Sequence, residues 1–159
     1  IGPDILKEAL DFIHDYIAQD HRFASLKDYE RTLRETRGLS WGPMDDERWA
    51  HLAANSHHKL EDASLTYAYD RAIAQKFKEQ PMGSNNLWAC WESVQIPALQ
   101  IWGTQSVILQ EPTVKQMQER KNGAPMDLIS FDDCGHVPSL TQENQITPIV
   151  EWLLAQNPR

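Results

Sequence analysis

The sequence has few cysteines and lacks any closely spaced set of metal-ligand residues. Its two cysteines, Cys90 and Cys134, are separated by 44 positions in a chain of 159 residues. A disulfide framework requires several cysteines, and a zinc site requires ligands at short, regular spacing. We therefore predict neither a disulfide nor a metal, and we expect no cofactor. Such cysteine usage is typical of a protein from the reducing cytoplasm.

Long apolar runs and clustered basic residues are also missing. No run approaches the roughly 20 apolar residues that span a bilayer, and the start Ile1-Gly2-Pro3-Asp4 has no signal-peptide pattern. Asp and Glu number 23 against 15 Lys and Arg, which gives a net charge of −8. Nucleic acids and anionic membranes favour clustered positive charge, so both are disfavoured as partners. We expect a soluble, cytoplasmic protein.

The most informative segment lies between Pro97 and Leu140. Residues 98–102 and 126–131 have the composition of short strands, and each is bounded by proline, glycine or aspartate. Between them, residues 112–121 are mostly polar, with a proline at the start and one apolar pair at helical spacing. A strand, helix and strand in this order predict a crossover connection and therefore two parallel strands.

One histidine follows the second of these strands directly. His136 lies in the turn Asp132-Asp133-Cys134-Gly135-His136-Val137-Pro138. Catalytic groups gather in the loops at the carboxyl ends of parallel strands. Imidazole is well suited to proton transfer near neutral pH because its ordinary pKa is about 6.5. A loop histidine that only forms a structural hydrogen bond is the alternative.

The order of these motifs resembles the C-terminal half of an α/β-hydrolase. The similarity rests on the strand from Ile96 to Gly103, on Ser106 in the next loop, and on the Gly-His turn within Asp133 to Leu140. A closing amphipathic helix follows. The resemblance implies the fold class: α/β, with parallel strands and helices, preceded by a helical cap. It also implies that His136 is the catalytic histidine.

The resemblance divides the chain into two parts. Residues 1–82 correspond to the helical cap and residues 83–159 to the C-terminal lobe of the core. The nucleophile-bearing N-terminal half of such a fold is absent, because no Gly-x-Ser-x-Gly pentapeptide occurs in the chain. The expected partner is therefore that half of the same protein or a companion chain. Uncovered apolar surface leaves homo-oligomer formation open.

Several short helices without a sheet are predicted for residues 1 to about 80. The first begins at Pro3 and Asp4, the second is capped by Ser25 and ends before Gly38, and the third is capped by Asp45 or Asp46. Residues 39–43 are predicted to form a turn, and residues 59–69 a loop or short hairpin. A further helix is expected over 71–78 and a linker over 81–86.

The last helix is ambiguous at its start. An apolar stripe of five side chains begins at Ile146, but Pro148 lies within it. Proline lacks the N–H that a helix interior requires. We therefore predict that this helix either starts at Thr147 or kinks there.

The position of the catalytic acid is the main departure from the family pattern. Where the family places an aspartate after the first strand, this chain has Val107, which cannot accept a hydrogen bond from imidazole. Three explanations remain open. The acid follows the preceding sheet strand, just upstream of Ile1; or Glu111 reaches back, although its place at a helix start favours capping; or the site has decayed.

The function implied by the resemblance is hydrolysis of carboxylic esters or a similar small acyl substrate, with His136 as general base. One alternative is a non-catalytic binding protein with this fold, since Val107 replaces the acid. Another is a relative that uses an aspartate nucleophile on epoxides or haloalkanes. An independent helical module unrelated to hydrolysis is disfavoured, because two strands would leave unpaired edges.

Other residues that suggest chemistry have simpler interpretations. His51, His57 and His58 lack carboxylate or thiolate neighbours at ligand spacing, so they are expected on a helix surface. Cys134 is expected to fill space in the loop. Asp132 and Asp133 are expected to fix the turn and not to orient the imidazole. Substrate-binding residues are not identified, although one or two of the six tryptophans could line a pocket.

Overall fold

The computed structural model describes residues 2–3, 7–70, 72–73, 86–123 and 125–156. In chain order the elements are α1 (Lys7–Ala18), α2 (Leu26–Trp41), α3 (Asp46–Asn55), β1 (His57–Lys59), β2 (Leu65–Tyr67), α4 (Trp88–Glu92), β3 (Ala98–Gly103), α5 (Glu111–Glu119), β4 (Met126–Phe131) and α6 (Glu143–Gln156). They form two compact units. Unit 1 comprises Ile1–Ile5, Leu39–Pro43 and Asn85–Arg159, and unit 2 comprises Leu6–Gly38 and Met44–Ser84.

Unit 1 contains the predicted crossover. Strands β3 and β4 are parallel and pair in register from Ala98 opposite Met126 to Gly103 opposite Phe131. Helix α5 connects them, and Pro112 lies in its first turn, where a missing N–H costs nothing. The strand and helix predictions for this segment are confirmed.

The core of unit 1 forms around the apolar side of α5. Val114 and Met117, the pair at helical spacing, are buried together with Trp88 and Leu109. Trp102 of β3 packs against this cluster, and its indole N–H donates to the Leu109 carbonyl at 2.9 Å. These contacts fix the loop between β3 and α5 at the carboxyl end of the sheet.

Helix α6 begins before Pro148, as the second predicted alternative requires, and not at Thr147. It runs from Glu143 with Pro148 inside it, so the predicted start at Thr147 is wrong. The first turn is anchored by Gln145, which is 1% exposed and whose side-chain oxygen accepts the Leu140 N–H at 2.8 Å. This anchoring holds the turn before the proline in helical form. Most of the apolar stripe is exposed, including Leu153 and Leu154.

Unit 2 contains a hairpin as well as helices: of the loop and the short hairpin predicted for 59–69, the hairpin is observed, beginning at His57, and the prediction of helices without a sheet is wrong. Strands β1 and β2 pair antiparallel, with His57 opposite Tyr67. In β2, Leu65 and Tyr67 are buried, and Thr66 between them is only partly buried. This alternation of every second side chain is typical of a strand with one buried face. Phe23 pairs with Leu65 as an isolated bridge.

The buried residues of unit 2 are largely aromatic. Tyr29 and Leu33 of α2 and Trp49 of α3 are at most 5% exposed. The Tyr29 ring contacts Phe23 and Tyr67 edge-on at centroid distances of 5.0 and 5.5 Å. Such edge-to-face contacts stabilise a core beyond the area they bury.

Two helix caps occur where the sequence places them. The Asp28 N–H donates to Ser25 Oγ at 3.1 Å, and the Arg48 N–H donates to Asp45 Oδ1 at 2.8 Å. The Asp28 carboxylate accepts the Ser25 hydroxyl proton at 2.8 Å. The residue that caps α3 is therefore Asp45 and not Asp46.

The end of α2 differs from the prediction. The helix continues through Gly38 to Trp41, so the predicted stop before Gly38 and the turn over 39–41 are wrong. The residue that ends it is Gly42, whose φ of +86° suits a glycine. The predicted helix over 71–78 and the linker over 81–86 lie outside the described residues, apart from Ala72, Ile73 and Asn86. Within the described residues, no helix combines the length and the apolar character that a membrane crossing requires.

Candidate functional site

The loops after β3 and β4 meet at the carboxyl end of the sheet. The Thr104 N–H donates to the Phe131 carbonyl at 2.9 Å, and the Gln105 N–H donates to the Cys134 carbonyl at 3.2 Å. A methyl group on Gly103 would lie 1.9 Å from the Gly135 carbonyl oxygen. Only glycine therefore permits this approach, which brings the His136 turn against the end of β3.

The end of α2 holds the His136 turn from a second direction. The Gly135 N–H donates to the Leu39 carbonyl at 2.9 Å and to the Ser40 carbonyl at 3.1 Å. The Ser139 N–H donates to the Trp41 carbonyl at 3.0 Å. These carbonyls belong to the last turn of a helix, which lacks partners within the helix itself. The turn that carries His136 therefore supplies the N–H donors that these carbonyls do not find within α2.

Cys134 fills the space beneath the turn. Its side chain is fully buried, and its Cβ lies 3.0 Å from the position that a methyl group on Gly42 would take. Burial raises the pKa of its thiol, with a smaller contribution from the charge of Asp133. A protonated, buried thiol is a poor nucleophile, which agrees with the predicted filling role.

The side chain that contacts His136 is Ser106. Its Oγ lies 3.0 Å from His136 Nδ1 and accepts the Leu109 N–H at 2.9 Å. Ser106 is 8% exposed and closes a turn after β3, because its own N–H donates to the Gly103 carbonyl at 3.0 Å. In the sequence, Ser106 stands out only as a part of the family pattern. Its contact depends on two loops that are 30 positions apart in the chain.

The environment of His136 favours a neutral imidazole. The residue is partly buried, and burial lowers the pKa of its ring below the ordinary value of 6.5. At neutral pH the ring is therefore unprotonated at one nitrogen and can accept a proton. Since Nδ1 faces Ser106, the nitrogen left for such chemistry is Nε2.

The two other predicted site residues, Val107 and Glu111, are exposed. Val107 is 79% exposed, although it stands beside the buried Ser106. Glu111 lies exposed in the first turn of α5 and forms an ion pair with Lys115 at 2.7 Å. This pairing favours the helix-start role for Glu111. That Glu111 supplies the acid, and that Val107 stands at the usual position of the acid, both stay predictions.

The remaining candidates have structural contacts. Asp132 and Asp133 are exposed, and the Asp132 main-chain carbonyl accepts from the Gln105 side chain at 2.8 Å. His57 Nδ1 lies 2.9 Å from the Ala53 carbonyl. Among the described residues, no group of three or more His, Cys, Asp and Glu side chains could hold a metal ion.

Comparison with known proteins gives the same fold and a hydrolase relative. The chain is 27% identical over 154 residues to a 3-hydroxybutyrate-oligomer hydrolase from Cupriavidus necator, and the match covers 92% of this chain and 52% of that protein. A putative hydrolase from Rickettsia typhi superposes with a TM-score of 0.85 at 26% identity, over 99% of this chain and 52% of its own. An α/β hydrolase from Novosphingobium aromaticivorans superposes with a TM-score of 0.71 at 23% identity, over 96% and 54%. No family model matches the sequence.

These matches settle the architecture. The chain spans about half the length of the relatives it matches, at 52%, 52% and 54% of their chains. The fold predicted from the sequence is confirmed: the chain has the fold of the C-terminal part of an α/β-hydrolase.

Proposed function

We propose that this chain, with the fold of the C-terminal half of an α/β-hydrolase, supplies the general base for hydrolysis of a carboxylic ester or similar small acyl substrate. The observation that carries the proposal is His136 itself. It follows a parallel strand directly, burial lowers the pKa of its ring, and its Nδ1 lies 3.0 Å from Ser106 Oγ. The remaining nitrogen, Nε2, is then available to accept a proton.

The proposed reaction is a two-step acyl transfer. A serine outside this chain attacks the ester carbonyl while His136 takes the serine proton, and backbone amides stabilise the resulting oxyanion. His136 then returns the proton to the leaving alcohol. Water attacks the acyl-enzyme in the same way, with His136 again as base, and releases the acid.

The nucleophile must come from outside the chain. We propose that it lies in an N-terminal half of the same protein or in a companion chain, since the matched relatives are about twice as long. Two surfaces of unit 1 support this arrangement. Among the described residues β3 pairs with β4 alone, so its other edge has unpaired backbone groups. Helix α6 also exposes apolar side chains, among them Leu154 at 66%.

The proposal also assigns separate roles to the two parts of the chain. Residues 1–82 would form the cap that roofs the active site, and residues 83–159 the core lobe. In such an arrangement the cap shapes the acyl pocket. The oligomer hydrolase from C. necator supports an acyl substrate, since the units of a 3-hydroxybutyrate oligomer are joined by ester bonds.

The test is His136→Ala in the complete protein, assayed on a short-chain ester and on 3-hydroxybutyrate oligomers. We expect kcat to fall at least about 1,000-fold, because loss of a triad member removes most of the catalysis. His58→Ala, which changes an exposed histidine of the hairpin, is the matched control and should leave kcat unchanged. Retained turnover in His136→Ala would refute the assignment.

The pH profile is a second readout of the same base. Because burial lowers the pKa of His136, the neutral form persists as the pH falls toward 6.5. We expect the acid limb of kcat/KM to lie below the ordinary histidine pKa of about 6.5. An acid limb above that value would contradict the lowered pKa of the partly buried imidazole.

A non-catalytic binding protein is the second candidate, and one observation favours it. The partner of His136 among the described residues is a hydroxyl and not a carboxylate. A fluorophosphonate probe separates the candidates. Labelling of a serine in the N-terminal half or in a companion chain would support the serine hydrolase. Absence of labelling would favour the binding protein or an aspartate-nucleophile relative.

A further inference from the structure

We propose that Ser106 is the positioning residue of His136: its Oγ accepts the Nδ1 proton, in the place where triad hydrolases use a carboxylate. This inference rests on the proposed role of His136 as general base. It assigns the partner of His136 to Ser106, whereas the family pattern places that partner at the position of Val107.

The geometry of the turn after β3 fixes the hydroxyl. The Ser106 N–H donates to the Gly103 carbonyl at 3.0 Å, and the Leu109 N–H donates to Ser106 Oγ at 2.9 Å. Leu109 is held in turn, since its carbonyl accepts the Trp102 indole N–H at 2.9 Å. The side chain of Ser106 is therefore constrained from both sides and directed at the imidazole, 3.0 Å from Nδ1.

The hydrogen-bonding capacity of a hydroxyl matches this task. A serine oxygen has two lone pairs and one proton. The Leu109 N–H occupies one lone pair, which leaves the second for the Nδ1–H of His136. With the proton on Nδ1, Nε2 carries the free lone pair that a general base requires. When Nε2 accepts a proton, the bond from Nδ1 to Ser106 remains unchanged.

A hydroxyl differs from a carboxylate in one respect, which is charge. It can select the tautomer and orient the ring, but it cannot neutralise the imidazolium that forms during catalysis. The lowered pKa of His136 is consistent with a partly buried ring that bonds a neutral hydroxyl among the described residues. We therefore expect a functional base that is weaker than that of a carboxylate triad.

The first test removes or preserves the hydroxyl in the complete protein. Ser106→Ala should lower kcat about 10- to 100-fold with KM changed less than about threefold, because a positioning residue acts through His136 and not on the substrate. Ser106→Thr keeps the hydroxyl and should retain kcat within about threefold. Ser93→Ala, which removes an exposed hydroxyl bonded to the Cys90 carbonyl, should have no effect.

The second test observes the tautomer directly. In protein labelled with ¹⁵N-histidine, the resonances of His136 are assigned by their loss in His136→Gln. We expect Nδ1 to be protonated in the wild type and in Ser106→Thr, and the two tautomers to mix in Ser106→Ala. An unchanged tautomer together with unchanged kcat in Ser106→Ala would overturn the proposal.

The third test uses the adjacent residue as a matched control. Ser106→Asp places a carboxylate against Nδ1 and should raise the pKa of His136 in an NMR titration, since a nearby negative charge favours the imidazolium. Val107→Asp places the same charge at a position that is 79% exposed and should shift that pKa much less. An equal or larger shift from Val107→Asp would refute the assignment to Ser106.

The outcomes distinguish this inference from the proposed function. If His136→Ala retains turnover, His136 is not the base, and the tautomer measurement still reports whether Ser106 orients the ring. If His136→Ala is inactive while Ser106→Ala behaves as wild type in kcat and tautomer, the base stands and the positioning role of Ser106 fails.

Discussion

The two units of this chain differ in how completely they bury their apolar residues. In unit 2, Phe23, Tyr29, Leu33, Trp49 and Leu65 are all at most 8% exposed. In unit 1, the stripe on α6 is exposed, with Ile146 at 41%, Val150 at 45% and Leu153 at 54%. Apolar side chains of a terminal helix are normally covered by a neighbouring layer. Unit 2 therefore has a closed core of its own, whereas unit 1 has the surface of an incomplete sheet layer.

The difference between the units agrees with the coverage of the relatives. The sheet of unit 1 has two strands, and β3 is paired on one side among the described residues. Two-stranded sheets rarely provide a stable layer alone. The matched relatives are about twice as long, which supports the proposal that further sheet and helices of such a protein cover unit 1. Substitutions in the two units should therefore have different energetic consequences.

The largest expected effect is in the closed core of unit 2. Tyr29 is 1% exposed, and its hydroxyl donates to the Ser56 carbonyl at 2.5 Å. Tyr29→Ala should lower the free energy of unfolding by about 3–5 kcal/mol, because a large cavity remains. Tyr29→Phe should cost about 1 kcal/mol, since it removes the hydrogen bond and keeps the ring. Urea unfolding measures both.

An exposed position on the same helix provides the control for Tyr29. Leu26 of α2 is 41% exposed, and Leu26→Ala should change the free energy of unfolding by less than about 0.5 kcal/mol. If Tyr29→Ala cost no more than Leu26→Ala, the core of unit 2 would not be closed, and the contrast between the units would disappear.

An intermediate effect is expected from a pair of glycines, one in each unit. A methyl group on Gly103 would clash with the Gly135 carbonyl, whereas one on Gly38 would meet no atom within 4 Å. Gly103→Ala should lower the free energy of unfolding by about 1–3 kcal/mol through overpacking. It should also displace the His136 turn and reduce kcat in the complete protein.

Gly38→Ala should act in the opposite direction. Gly38 lies inside α2, where alanine favours the helical state by about 0.5–1 kcal/mol. The free energy of unfolding should therefore rise by about that amount. Equal effects of the two substitutions would show that the approach of Gly103 to Gly135 is not a constraint of the fold.

The same positions show what the sequence could and could not predict. Proline and glycine bound β3, α5 and β4 so clearly that these elements and their parallel pairing follow from local pattern and crossover geometry. The end of α2 does not follow from local pattern. Gly38 is a usual stop signal, but the helix continues because the His136 turn supplies hydrogen-bond donors to the carbonyls of its last turn.

The contact between Ser106 and His136 is even less predictable from local sequence pattern than the end of α2. The sequence indicates that the loops after β3 and β4 lie at the same edge of the sheet. It does not indicate which side chain of the first loop is directed inward, because Ser106 and Val107 are adjacent and their exposures, 8% and 79%, depend on the turn at Gly103. The hairpin β1–β2 is predicted only as an alternative to a loop over 59–69, for a related reason, since three-residue strands carry little periodic signal.

The smallest expected effect, in the chain alone, is at the exposed surface of unit 1. Leu153→Lys replaces an apolar side chain that is 54% exposed, so the free energy of unfolding of the chain should change by less than about 0.5 kcal/mol. In the complete protein the same lysine would be placed beneath the rest of the sheet layer. A buried, unpaired charge is costly, so the free energy of unfolding should then fall by several kcal/mol. Urea unfolding of both forms measures this difference. Equal, small effects in both would mean that α6 faces solvent in the complete protein and that its exposed apolar surface is not the contact with the proposed N-terminal half or companion chain.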